Sequence, residues 1–182
     1  LSECGIQNHL IKRLNMREQL IKQAEIIPIE FVIRNIATGS LTKRLGISEG
    51  TVLEKPLLEY YLKNDELGDP LISKEHIYAF GWSSEEEVKF IDKMSLRIND
   101  LLQGIFRGVG IKLVDFKIEY GKIWNKDMEN NDIAVLSSNS HQPGIKSVTG
   151  SVCSVCLNDL RQIEFGGTAV ESVDYEELLS KY

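Results

Sequence analysis

Two stretches of the chain gather residue types suited to a polyanionic substrate. The first is Arg34 followed by Gly39-Ser40, with Lys43 and Arg44 in the next turn. An arginine at a strand end before a Gly-Ser helix start lets a guanidinium fork, a hydroxyl and backbone N–H groups converge on phosphate. The plain alternative is an exposed Glu30–Arg34 ion pair beside a capped helix, which contributes little. The second stretch is Asp115-x-Lys117-x-Glu119. Strand alternation puts these charges on one face, about 6–7 Å apart. Two carboxylates so placed can hold Mg2+ or position a substrate, while the lysine offsets phosphate charge. Equally, the three could face solvent and pair with one another.

A weaker set is Lys63-Asn64-Asp65 followed by Gly68-Asp69-Pro70, a polar loop after a strand. Such loops often carry binding groups and as often are plain surface turns. His9 and His76 lie far from any nucleophile in the sequence and read as structural. Cys153-x-x-Cys156 has zinc or redox spacing, but with only His141 nearby it forms an incomplete metal site, and two small residues in a Ser-rich loop is the simpler reading. There is no nucleophile elbow, zinc-protease helix, P-loop or dinucleotide fingerprint.

These residues need elements to position them. Residues 9–36 read as strands. In the clearest, Ile26 to Ile36, the residues Ile27, Ile29, Phe31 and Ile33 share one face, and Glu30, Val32 and Arg34 the other. Pro28 suits a sheet edge or the beginning of a strand. Residues 40–45 read as a short helix between Gly39 and Gly46, and Leu57 to Lys63 as another strand. Ser84-x-x-Glu87 is a capping box that opens a helix over 84–107, a rod of roughly 36 Å. Its expected buried stripe is Val88, Ile91, Met94, Ile98, Leu101 and Ile105. Gly108 and Gly110 end it. Ile111 to Tyr120 reads as a strand with Val114, Phe116, Ile118 and Tyr120 on its apolar face, and Ile133 to Leu136 as a short strand. Residues 137–156 read as a mobile Ser-rich loop with Pro143-Gly144, and Asp174 to Leu179 as the start of a closing helix.

The composition suits one soluble domain: 182 residues, 42% hydrophobic and 26% charged. No apolar run reaches the roughly 20 residues of a membrane span. A net charge of −6, most of it after residue 125, argues against a nucleic-acid binder. Three cysteines suit a reducing, cytoplasmic setting. Leu1-Ser2-Glu3-Cys4 has no signal-peptide character and no initiator Met, so the chain is expected to begin inside a longer protein.

Taken in order, the motifs resemble one family. The run Ile26-Ile27-Pro28-Ile29-Glu30-Phe31-Val32-Ile33-Arg34-Asn35-Ile36-Ala37-Thr38-Gly39-Ser40 is similar to the first signature of the phosphoribosylaminoimidazole-succinocarboxamide (SAICAR) synthetases. Leu113-Val114-Asp115-Phe116-Lys117-Ile118-Glu119-Tyr120-Gly121 is similar to the second, with Tyr120 where Phe is usual. Lys43-Arg44-Leu45-Gly46-Ile47, Lys63-Asn64-Asp65, Asp69-Pro70 and Phe80-Gly81-Trp82 follow the same pattern, and the resemblance runs from about Ile6 to Trp124.

The resemblance implies an α+β fold, an antiparallel sheet with packed helices that lacks the N-terminal lobe. Residues 1–35 would close that first lobe and 36–182 would form the substrate lobe, all within one domain. It implies an ATP- and Mg2+-dependent ligase of purine biosynthesis joining L-aspartate to carboxyaminoimidazole ribotide (CAIR). Arg34 and Ser40 would bind the ribotide. Glu119 would hold Mg2+, and Asp115, Lys117 and Glu119 would form the catalytic set, with Lys117 also near the nucleotide. Lys63 and Asp69 would lie around the substrates, and Ile26 would touch the adenine.

Two departures give a second expectation. The family's Gly-Lys-rich phosphate loop precedes the segment matched here. Its Asp-Glu-x-Ser-Pro-Asp motif and following arginine are replaced after Leu136 by Ser137-Ser138-Asn139-Ser140-His141-Gln142-Pro143. Resemblance resumes weakly at Asp159-Leu160-Arg161, Gly166-Gly167 and Glu171 to Glu177. A chain with one metal carboxylate and no phosphate loop would bind ribotide at most, because phosphoryl transfer depends on positioning and electrostatics. An apolar surface left where another lobe would pack could recruit a second chain, including a homo-oligomer partner.

Overall fold

The computed structural model describes residues 4–15, 18–125 and 130–136, and the backbone of three further short strands. In chain order the elements are β1 (Leu10–Arg13), β2 (Glu18–Ile21), β3 (Glu25–Ile36), α1 (Ser40–Leu45), β4 (Val52–Leu62), β5 (Leu71–Ile72), α2 (Lys74–Ala79), α3 (Glu85–Gly108), β6 (Ile111–Asn125) and β7 (Asn130–Leu136). The three further strands are β8 (Val148–Thr149), β9 (Gln162–Phe165) and β10 (Thr168–Val170). The expected α+β architecture is what forms. A seven-stranded antiparallel sheet runs β10-β9-β6-β3-β4-β5, with β7 also paired to β6, and β1, β2 and β8 make a small second sheet. The loop expected over 137–156, Cys153 and Cys156, and the expected closing helix lie outside the described residues, β8 excepted.

The long strand β3 is central, with β4 on one side and β6 on the other. Its alternation sorts two kinds of chemistry onto two faces. Ile27, Ile29, Phe31 and Ile33 join Ile118, Phe116 and Tyr120 of β6 in the core that α3 covers. Phe31 meets Tyr60 and Tyr120 edge-on, with ring centroids 5.6 and 5.3 Å away. Pro28 therefore stands inside a central strand, contrary to the edge or strand-start expectation. It stands at a register shift of β3 against β6, between Ile26 and Glu30, and just ahead of the first β4 pair at Ile29, and irregular pairing is where a sheet tolerates proline. Its carbonyl accepts from the Lys63 N–H at 3.0 Å.

Helix α3 starts as the capping box requires. Ser84 Oγ accepts from the Glu87 N–H, and Glu87 Oε2 accepts from the Ser84 N–H at 2.8 Å. Its buried line is Val88, Ile91, Ser95, Ile98, Asn99, Leu102 and Phe106. The expected Met94 and Leu101 are half-buried and pack against the core from beside this line, whereas Ile105 is 56% exposed. The expected stripe advances by about 3.5 residues per turn and drifts around a straight helix, whose own period is about 3.6. The true line passes through two polar residues, Ser95 and Asn99, which an apolar-only search skips.

In β6 a second correction has a similar cause. Ile111 and Leu113 enter the main core, whereas Val114 is buried outside it. The core parity changes between Leu113 and Phe116, at a register shift against β9 between Leu113 and Asp115. An inserted residue exchanges the two faces of a strand at that point.

Candidate active site

On the face of β3 turned away from α3, three strands set their side chains in three rows. Leu57, Arg34 and Asp115 form one, Glu59, Val32 and Lys117 the next, and Tyr61, Glu30 and Glu119 the third. Strand register alone produces this grid, since paired residues in neighbouring strands share a face. Arg34, Asp115, Glu30, Glu59 and Glu119 are all buried. Neither an exposed Glu30–Arg34 pair nor a solvated strand face is present.

Arg34 is 1% exposed and its guanidinium is held on two sides. Nε donates to Glu59 Oε2 at 2.7 Å, and Nη1 pairs with Asp115 Oδ2. Nη2 then points at Ser40 Oγ, 3.3 Å away. Burial by itself would lower the Arg34 pKa, but the Glu59 hydrogen bond and the Asp115 charge outweigh it and hold it above its ordinary value. Glu59 also pairs with Arg44 of α1 and accepts from the Tyr61 hydroxyl at 3.1 Å. One buried carboxylate thus holds two guanidiniums, and that of Arg34 reaches Ser40. Gly39, at φ 58, makes the turn into α1, a conformation costly for a residue with a Cβ.

The third row holds the second cluster. Glu30 and Glu119 are cross-strand partners. Lys63 Nζ lies 3.4 Å from Glu30 Oε1 and 2.9 Å from Glu119 Oε1, and Lys117 Nζ lies 2.9 Å from Glu30 Oε1. Burial would lower the Lys63 pKa, yet the hydrogen bond and charge of Glu119, with Glu30 behind it, raise it. Lys63 is therefore held in its cationic form between the two carboxylates.

The residues expected from sequence separate into these clusters. Arg34, Ser40 and Asp115 meet in one, and Lys63, Lys117 and Glu119 in the other. Asp69 lies in the turn that follows Lys63, at φ 46, with Oδ1 accepting from the Asn64 N–H at 2.8 Å. Ile26 is half-buried at the far end of β3 from Arg34, opposite Gly121. His76 is structural, its Nδ1 accepting from the Ser73 N–H at 3.0 Å. Sequence reasoning missed Glu59 and the pairing of Glu30 with the lysines. A signal for Glu59 was available: Glu59, Tyr61 and Lys63 alternate with Leu58, Tyr60 and Leu62.

Among the described residues, no group of three or more His, Cys, Asp and Glu side chains is arranged to hold a metal. The donor set of Glu30 and Glu119 nevertheless fits magnesium, which takes one or two carboxylates and fills its shell with water and phosphate oxygens. No helix among the described residues is long and apolar enough to cross a membrane.

The chain is similar to known proteins in sequence and in fold. The family model for SAICAR synthetase matches residues 1–135. The phosphoribosylaminoimidazole-succinocarboxamide synthase of Pelagibacter ubique is 62% identical over 133 residues, 73% of this chain and 50% of that protein. The chain thus spans about half the length of this curated relative. The crystal structure of the Ehrlichia chaffeensis synthase is similar with a TM-score of 0.71 at 48% identity, over 75% of this chain and 56% of that one. A SAICAR synthetase solved in complex with ADP is similar with a TM-score of 0.68 at 38% identity, over 75% and 56%. With both signature strands in adjacent positions of one sheet and a family match across most of its length, the chain belongs to the SAICAR synthetase family.

Proposed function

We propose that the chain carries the ribotide-binding face, and part of the nucleotide site, of an ATP-dependent ligase that joins L-aspartate to CAIR. The observation that carries this is the Arg34 guanidinium, gripped by Glu59 and Asp115 and turned toward Ser40. A fork so oriented is pre-organised for a phosphate. Arg44, partly exposed beside it, adds a second cation. Residues 36–182 would form the substrate lobe and 1–35 the edge of the nucleotide lobe.

In the reaction, a carboxylate oxygen of CAIR takes the terminal phosphoryl group of ATP. The aspartate amine then attacks that carbonyl carbon, and phosphate leaves. Arg34 and Ser40 hold the ribotide, with Asp115 fixing the arginine. Lys63 and Lys117 offset charge on the phosphoryl oxygens. Asp69, beside Lys63 in sequence, is assigned to the aspartate side of the site, and Ile26 to the adenine. Mg2+, when bound, would be held by Glu119 and Glu30 and would neutralise charge developing on the transferred group.

The test is product formation by the purified chain with CAIR, L-aspartate, ATP and Mg2+, each omitted in turn. Product requiring all four is the expected result. A second reading, ribotide binding without turnover, is favoured by Ser137 to Pro143 standing where the family has its acidic motif. Calorimetry with CAIR separates the two: binding without product supports the second, and no binding overturns both.

A further inference from the structure

Arg34 and Asp115 are cross-strand partners, and each stands beside a register shift. The β3–β4 pairing slips between Arg34 and Ile36, and the β6–β9 pairing slips between Leu113 and Asp115. The paired register of β3 and β6 reaches Arg34 and Asp115 and goes no further. The extra residues at the first shift lie in β4, where four residues between Val52 and Leu57 stand opposite one of β3, so regular pairing on both sides of β3 ends at Arg34 and leaves the strand just beyond it to be fixed by other contacts.

Asn35 is the single β3 residue opposite the four extra residues of β4, and its side chain is tied to α3. Nδ2 of Asn35 donates to Asn99 Oδ1 at 2.8 Å. Its Oδ1 accepts from Asn99 Nδ2 at 3.1 Å and from Gln103 Nε2 at 3.1 Å. Asn99 is fully buried in the middle of the helix. Asparagine is a poor residue for a helix interior, and a buried amide costs free energy unless it is bonded. Here two amides donate to and accept from each other, an arrangement with essentially one geometry. An apolar pair in the same place could slide; this one fixes both the distance and the rotation of Asn35 against α3.

We infer that Asn99 is a positioning residue for the site: by clamping Asn35 where the regular pairing of β3 ends, it fixes the strand next to Arg34, and with it the direction of the Arg34 guanidinium toward Ser40. The inference rests on the proposed role of Arg34 in holding the ribotide. It adds a residue on the opposite face of the sheet that touches no substrate.

The test uses Asn99→Leu in the whole chain, a change close in size that removes both amide bonds. The first readout needs no ligand. The Arg34 Nε–H, bonded to Glu59 and buried, should exchange slowly with solvent by NMR, and in N99L at least about tenfold faster, while the backbone amides of α3 near Ile91 keep their protection. The second is calorimetric binding of CAIR to wild type, N99L, R34K and the double variant. N99L should weaken binding about tenfold with Arg34 present and less than about twofold with lysine there, since residues acting through one another do not add. Equal losses in both backgrounds, or unchanged Arg34 exchange, would overturn the inference. If wild type binds no CAIR, the ligase reading fails and the Arg34 exchange alone decides. Should N99L not fold, Gln103→Leu at a half-exposed position removes one of the three bonds. It should then speed Arg34 exchange about threefold, and no change would count against the clamp.

Discussion

Glu30 and Glu119 face each other across the β3–β6 ladder with the Lys63 ammonium between them, 3.4 Å from one and 2.9 Å from the other. Like charges directly opposite on a sheet repel, so this pairing exists only with a cation at hand. Lysine provides it here, and a divalent ion bound to the same carboxylates would do the same. Replacing Lys63 by Met should cost about 1–3 kcal/mol in magnesium-free buffer. Millimolar Mg2+ should recover part of that loss, because a ligand binding only the folded state stabilises it. Thermal unfolding of both proteins with and without Mg2+ is the check. A variant no more responsive to Mg2+ than wild type would remove the carboxylate pair as a metal site.

Arg34 is the counter-charge of two buried carboxylates. Arg34→Met leaves Glu59 and Asp115 in the sheet without it and should destabilise the chain by about 3–5 kcal/mol. Urea unfolding measures this directly. A loss below about 1 kcal/mol would mean that the site relaxes and admits water.

Ser95 Oγ and the Tyr120 hydroxyl are 2.8 Å apart inside the core. Burial raises the Tyr120 pKa and the Ser95 hydrogen bond opposes it, so the phenol stays neutral throughout the usual pH range. Ser95→Ala strands a buried hydroxyl and should cost about 1–3 kcal/mol. Tyr120→Phe should cost less, because a helical serine can turn back to a carbonyl of the preceding turn. The double variant should be more stable than Ser95→Ala alone, and strict additivity in a double-mutant cycle would contradict this.

Glu87 gives the clearest acid-side dependence. Its burial would raise its pKa, but Lys122, 2.7 Å away, together with the Ser84 N–H and Ser83 hydroxyl, lowers it below 4.5. A group whose folded pKa is depressed contributes stability above its unfolded value and loses it as pH falls through the folded one. The stability difference between wild type and Glu87→Gln should therefore be full at pH 7 and shrink below about pH 4. A difference that does not change with pH would show that the capping geometry, not the charge, carries the effect.

Most of the fold was legible because the pattern and the structure obey the same periods. Phe31, Ile33, Phe116 and Ile118 lie where alternation puts them, and α3 begins at its capping box. What escaped was long-range pairing. Nothing local says that Glu59 rather than Glu30 meets Arg34, because that follows from β3–β4 register and the reach of a guanidinium. Nor does an apolar search find Asn99, whose burial is satisfied by a partner 64 residues away. The two bulges were equally hidden, since each is defined by a strand that pairs from elsewhere in the chain.

The two faces of β3 have unequal tolerance for length changes. A one-residue insertion or deletion between Glu30 and Arg34 would reverse every side chain beyond it. The guanidinium of Arg34 would turn into the helix-packed layer and Ile33 would turn out among the carboxylates. A single frame slip would thus remove the folding core and the proposed anion site together. Within this strand, a substitution alters one face at a time, whereas a change of length alters both.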